Sequence, residues 1–254
     1  MSYTIFVDTS SLMQELDDFT QDQAPFALAL TLTRLAIESK KMEEHEMLDV
    51  FDRPTPFAIR GVRYKMAKKD DLEASVYLDD FAGKGTPAEK FLAPQVFGGG
   101  RNLKRFELAL RAKGVLPSNM FVVPGAAAKL DAYGNMERSQ IVQILSYFAA
   151  FGEQGYRANI TQARKEKLAR GTKKRVGFAY FVGRPGGRPL GVWQRVHLAH
   201  GSAVKPILIF VERARHEAIF DFEFVAETTV EKNAELFFEE SLRDAILSAR
   251  PAPL

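Results

Sequence analysis

Between Pro25 and Leu48 the apolar positions Phe26, Leu28, Leu30, Leu32, Leu35 and Ile37 form a broad stripe, and Ala27, Ala29 and Ala36 add helix propensity. The pattern predicts one long helix with Pro25 near its start. Val50-Phe-Asp-Arg-Pro-Thr-Pro-Phe57 cannot prolong it, because each proline removes a donor and biases the residue before it away from helix. The period then changes to two. Ala58, Val62, Tyr64 and Met66 alternate with Arg60, Arg63 and Lys65, and Leu72, Ala74, Val76 and Leu78 alternate with Glu73, Ser75 and Tyr77. Phe57–Met66 and Leu72–Leu78 therefore read as an antiparallel pair turning at Lys68–Asp71.

Phe81 to Gly155 is more irregular and predicts two or three helices. Thr86-Pro-Ala-Glu89 has the composition of a capping box and opens a short helix to Ala93. After Gly98-Gly-Gly100, a helix over Arg101–Lys113 presents Leu103, Phe106 and Leu110 and ends at Gly114 and Pro117. Met120–Pro124 reads as a short strand, Asp131–Asn135 as a turn, and Arg138–Phe151 as a helix with Ile141, Ile144, Leu145 and Phe148 inward. Gly152 to Thr172 is polar with few apolar anchors and reads as a flexible linker. Strands follow at Arg175–Gly183, Gly191–Leu198 and Val204–Val211, then a helix with Ala234, Phe237, Phe238, Leu242, Ala245 and Ile246 on one face.

The expected class is α+β: a long N-terminal and a C-terminal helix packed on a mainly antiparallel sheet, with a helical inserted block. Residues 1–78 and 173–254 would share the main core, and residues 79–172 would form the insertion and a basic linker. The Pro251-Ala-Pro253 tail should fray.

Composition narrows the function classes. The 254 residues contain no cysteine, so thiolate catalysis, thiolate metal sites and a disulfide framework are excluded. Met1–Leu16 lacks a basic region followed by an apolar stretch, and nowhere do 18 apolar residues run together, so a soluble, non-secreted protein without membrane contact is expected. The formal charge of +3 conceals a segregation. Asp8, Glu15, Asp17, Asp18 and Asp22 precede the first helix, Glu43, Glu44, Glu46 and Asp49 close it, and acids from Glu217 to Glu240 crowd the end. Between them lies a basic run, Arg157 to Arg175. Its Arg164, Lys165, Lys167, Arg170, Lys173, Lys174 and Arg175 read either as a contact for DNA or an acidic protein, or as a solvated helix face.

Motifs with catalytic meaning are missing. Ala82-Gly-Lys-Gly-Thr86 resembles the end of a phosphate loop, but Leu78 stands where its first glycine belongs and Gly85 where its Ser/Thr belongs. Gly98-Gly-Gly100 before Arg101 suits an anion site or, preferably, a hinge. His197 and His200 have no acid or cysteine to complete a metal set, Glu44-His45-Glu46 lacks the second histidine of a zinc-protease helix, and no serine occupies a nucleophile elbow. No catalytic, cofactor-binding or metal-ligating set emerges, and a non-enzymatic part is expected. Trp193, on the strand after Arg184-Pro-Gly-Gly-Arg-Pro189, either anchors a core or, with Arg195, meets a partner.

The order Gly191-Val-Trp-Gln-Arg195, a Gly/Ser turn, Lys205-Pro-Ile-Leu-Ile-Phe-Val211 and a helix with Phe237, Phe238, Leu242 and Ala245 resembles the bacteriophage minor tail protein Z family of tail-completion proteins. The likeness covers about seventy-five residues, with a looser one over Ala24 to Leu78. The block 79–172 has no counterpart in the shorter members. Phe51-Asp-Arg-Pro-Thr-Pro-Phe57, Gly98-Gly-Gly-Arg101 and Lys129-Leu-Asp-Ala-Tyr-Gly-Asn135 are similar instead to prophage-encoded virion proteins of unassigned role. The resemblance implies a homo-oligomeric ring at the head–tail junction of the virion, made in the host cytoplasm. Its partners would be the head connector, tail terminator or tail tube proteins, and the DNA passing through the channel. The interface would use Trp193 and Arg195, and the acidic helix with Glu231, Glu235 and Glu239 would meet the basic run of a neighbour. Alternatives are a DNA-binding accessory protein using the basic run, and a tail or adaptor subunit of a short-tailed phage.

Overall fold

The computed structural model describes residues 1–6, 18–83, 85–198 and 200–249. Asp8, Glu15 and Asp17, most of Met1–Leu16, Lys84 of the glycine-rich stretch and the 251–253 tail lie outside the described residues. In chain order the elements are β1 (Ser2–Phe6), α1 (Asp18–Val50), α2 (Pro56–Ile59), β2 (Val62–Lys65), β3 (Glu73–Leu78), α3 (Ala88–Phe97), β4 (Gly99–Gly100) and α4 (Arg105–Ala112). They continue with β5 (Phe121–Pro124), α5 (Arg138–Tyr147), α6 (Gln162–Arg170), β6 (Phe178–Gly183), β7 (Gly191–Leu198), β8 (Gly201–Val211), β9 (Arg215–His216) and α7 (Phe222–Ala249). The fold is α+β, and the paired strands are antiparallel.

The chain divides into two units, 1–99 with 216–254, and 100–215. The first has a three-stranded sheet in the order β1-β3-β2, with the long helices α1 and α7 side by side. Central β3 buries Ala74, Val76 and Leu78; Leu32, Leu35 and Ala36 of α1 meet Ala74 with Val230, Ala234 and Phe237 of α7 alongside. Met47, Val62, Leu92, Phe220 and Phe222 form a second cluster in this unit. Burying such side chains is worth about 1.5–3 kcal/mol each, and α1 and α7 both supply them.

The second unit has a four-stranded sheet in the order β5-β8-β7-β6. Leu110 of α4, Ile144 of α5, and Val122, Tyr180, Val192, Leu208 and Phe210 of the strands make its core. β4 and β9 pair where the chain leaves and re-enters the first unit.

This division differs from the expected 1–78, 79–172 and 173–254. β5, inside the supposed insertion, pairs along β8, with Phe121 opposite Val211 and Pro124 opposite Leu208. The strands of 178–211 therefore complete the middle block, while α3 and α7 complete the N-terminal core. Residues 152–172 are not a free linker either. Asn159 clamps Phe151 in both directions, accepting its N–H at 3.1 Å and donating to its carbonyl at 2.9 Å, and α6 follows.

Smaller differences have local causes. α1 begins seven residues before Pro25, which sits inside it. Residues 56–59 are helical because the Thr55 side chain accepts the Ala58 N–H at 3.1 Å and Pro56 is pre-set for the first helical position. Thr86 does not cap α3, whose N-cap is Pro87 with no side-chain bond. β1 was not anticipated, although Tyr3 and Ile5 turn inward in alternation with exposed Ser2, Thr4 and Phe6.

Candidate functional site

Charge partitions with the fold. Residues 100–215 carry 21 Lys and Arg against 6 Asp and Glu, whereas 1–99 with 216–254 carry 14 against 26. The formal charges are thus +15 and −12, each on its own folded unit. Fields of this size govern association more than fold.

The basic run is ordered. α6 carries Arg164, Lys165, Lys167 and Arg170; Lys165 lies 5.0 Å from the Tyr147 ring centroid and the others are exposed. Gly171 ends the helix at φ 73°, a value that favours glycine. Thr172 and Arg175 then bridge, with the Thr172 N–H donating to the Arg175 carbonyl at 2.8 Å, and Lys173 and Lys174 exposed at the tip. Gly177 seats this turn on α6: a Cβ there would collide with the Ala169 carbonyl. The His197 N–H donates to the Gly177 carbonyl at 3.0 Å and ties the turn to β7.

The result is an open recess of about 450 Å³ lined by Arg170, Lys173, Lys174, Arg175, Val176 and His197, with no acid among the described residues of its walls. Among the described residues none of the seven predicted cations makes an ion pair. In the first unit, by contrast, Arg34, Lys40, Lys41, Arg63 and Lys65 each face a carboxylate. The cations are thus presented, without an acidic partner among the described residues, on backbone held by the bridge and the Gly177 contact.

The acids predicted at an interface, Glu231, Glu235 and Glu239, are exposed on α7 and also make no ion pair among the described residues. Glu240 and Asp244, one turn along, are engaged by Arg34 at 3.7 and 2.8 Å. Arg195 is exposed and lies 5.1 Å from the Phe181 ring centroid. Trp193 is a correction. It is 1% exposed and belongs to the interior, because β7 turns that position inward and Arg188 covers the ring at 5.7 Å.

Two buried glutamates escaped the sequence reading. Glu107 on α4 is fully buried and accepts two hydrogen bonds from Arg101 at 2.7 Å, with the Lys104 N–H at 2.6 Å and the Val122 N–H at 2.7 Å. Burial alone would raise its carboxyl; these donors outweigh it and hold the pKa below the ordinary value. Arg101 is therefore committed to Glu107 and does not crown an anion site at Gly98–Gly100. Gly98 and Gly99, at φ 70° and 94°, serve the backbone crossing between units. Glu43 on α1 is equally buried, but among the described residues neither carboxyl oxygen nor the Ser39 hydroxyl one turn earlier has a partner. Burial, then Glu46 and Asp221, push its pKa up to about 9.

Among the described residues no group of three or more His, Asp or Glu is arranged to hold a metal ion, and no helix is long and apolar enough to cross a membrane. No family model, curated protein or solved structure matches this chain.

Proposed function

We propose that this chain is a non-enzymatic structural protein of the phage virion, a tail-completion or neck component that forms a homo-oligomeric ring between head connector and tail around the DNA channel. The observation that carries the reading is the division of charge, +15 on one folded unit and −12 on the other, with exposed, unpaired groups of both signs. A chain so divided attracts its own copies head to tail, and contacts made within a closing ring become effectively intramolecular. The resemblance of Gly191–Val211 and the helix beyond it to tail-completion proteins supplies the station in the virion and the head-side and tail-side partners.

The experiment is mass and shape of the purified chain by light scattering and negative-stain imaging, with antibody labelling of virions from the encoding phage. Rings and label at the head–tail joint are expected. A monomer absent from virions overturns the reading.

The acid-free recess at Arg170–Arg175 favours a second reading, a DNA-binding accessory protein. Its signature is duplex binding by the isolated chain that weakens steeply with salt, because each neutralised phosphate releases counterions.

A further inference from the structure

The two charged surfaces described above complement each other in apolar character as well as in sign, and we infer that α7 of one copy docks into the basic recess of the next. This rests on the reading of the chain as a self-assembling part and names the surface that would join its copies. The recess is not purely cationic. Val176 is 58% exposed and Leu198 54%, so apolar side chains stand beside Lys173, Lys174 and Arg175. A phosphodiester backbone answers the charge and leaves that pair wet; an acidic amphipathic helix answers both.

α7 is such a helix. Glu231, Glu235 and Glu239 recur every four residues and share one face. Leu236, Ile246 and Leu247, at 52%, 40% and 56% exposure, flank that ridge. Lys232 and Arg243 also lie on this face, outnumbered by the acids. Strip and recess are different surfaces, so the contact is heterologous: every copy keeps one of each to offer, and the assembly closes as a ring or extends as a filament.

A charge exchange on the full chain tests this. Glu235→Lys with Glu239→Lys reverses the strip, and Lys173→Glu with Lys174→Glu reverses the recess. Each pair is expected to weaken self-association at least about tenfold in sedimentation at low salt, since facing like charges costs more than a kilocalorie. The four together should restore it to within about threefold of the starting chain, because the surfaces are complementary again. Circular dichroism melting separates folding from docking, and if a reversed pair fails to fold, the neutral Gln versions replace it with the same direction expected.

Self-association indifferent to both pairs, or a fourfold variant no better than either pair, overturns the docking and leaves self-assembly intact. A chain that stays monomeric at every concentration overturns both. If the recess pair abolishes duplex binding while assembly is unchanged, the recess belongs to DNA and the docking is wrong.

Discussion

Arg101 holds Glu107 through two hydrogen bonds of 2.7 Å at a point where the carboxylate is fully buried. The same carboxylate also takes the Val122 N–H, so α4, β5 and the segment entering the second unit converge on one charged group. Arg101→Ala leaves that charge buried without its cation, which should cost about 3–5 kcal/mol. Urea unfolding of the variant is expected to show the loss. The pair also sets a pH response: a lowered carboxyl contributes stability above its unfolded pKa and loses it as pH falls through the folded value. The acid limb of the unfolding curve should therefore flatten in Glu107→Gln.

Glu43 has the opposite sign. Its carboxyl is buried, without a partner among the described residues, and raised to about 9, so the folded unit holds a proton that the unfolded chain releases at ordinary carboxylate pH. Its stabilising share is complete below the unfolded value and is lost as pH climbs towards 9. The slope is at most about 1.4 kcal/mol per pH unit. Glu43→Gln keeps the shape and removes the titration. Thermal midpoints of the two proteins should diverge from pH 5 to 9, the variant staying flat while the parent falls; parallel curves would show that Glu43 is not held neutral.

These two glutamates also mark what the sequence could convey. The long helices and β7 were legible because period and burial agree, as in the Leu32–Leu35–Ala36 face and the Gly191–Leu198 strand. Thr55 and Thr86 both precede Pro, yet only Thr55 caps its helix with a side-chain bond, although Thr86-Pro-Ala-Glu89 has the fuller capping-box pattern. The domain boundaries failed because the pairing of Phe121–Pro124 with Leu208–Val211 spans more than eighty residues of chain and leaves no local trace. The basic run and the acidic strip were visible as composition. That the cations surround a recess and stand unpaired was not, since ion pairing depends on which acids the fold brings near.

Trp193 gives an optical check on the interior. As the one tryptophan, 1% exposed and with its indole N–H unpartnered among the described residues, it should emit at short wavelength and resist soluble quenchers. Assembly should leave that emission unchanged, because the ring does not reach the surface. Trp193→Ala should cost about 3–5 kcal/mol through the cavity it opens. An exposed, readily quenched spectrum would favour the partner-contact reading of Trp193 over the core one.

Gly177 tests whether the basic turn is held by the fold or merely attached to it. A Cβ at this position collides with the Ala169 carbonyl, so Gly177→Ala must displace either the turn or the end of α6. Overpacking of this kind typically costs about 1–3 kcal/mol. The strain would fall on the segment that presents Lys173 and Lys174, leaving the Leu110–Val192–Leu208 core of the unit in place. Hydrogen exchange should accordingly rise at the Thr172 and His197 amides, which the turn now protects, and much less along the rest of β7 and β8. Unaltered exchange at both amides would mean that the turn tolerates the added methyl and that the recess is not set by this contact.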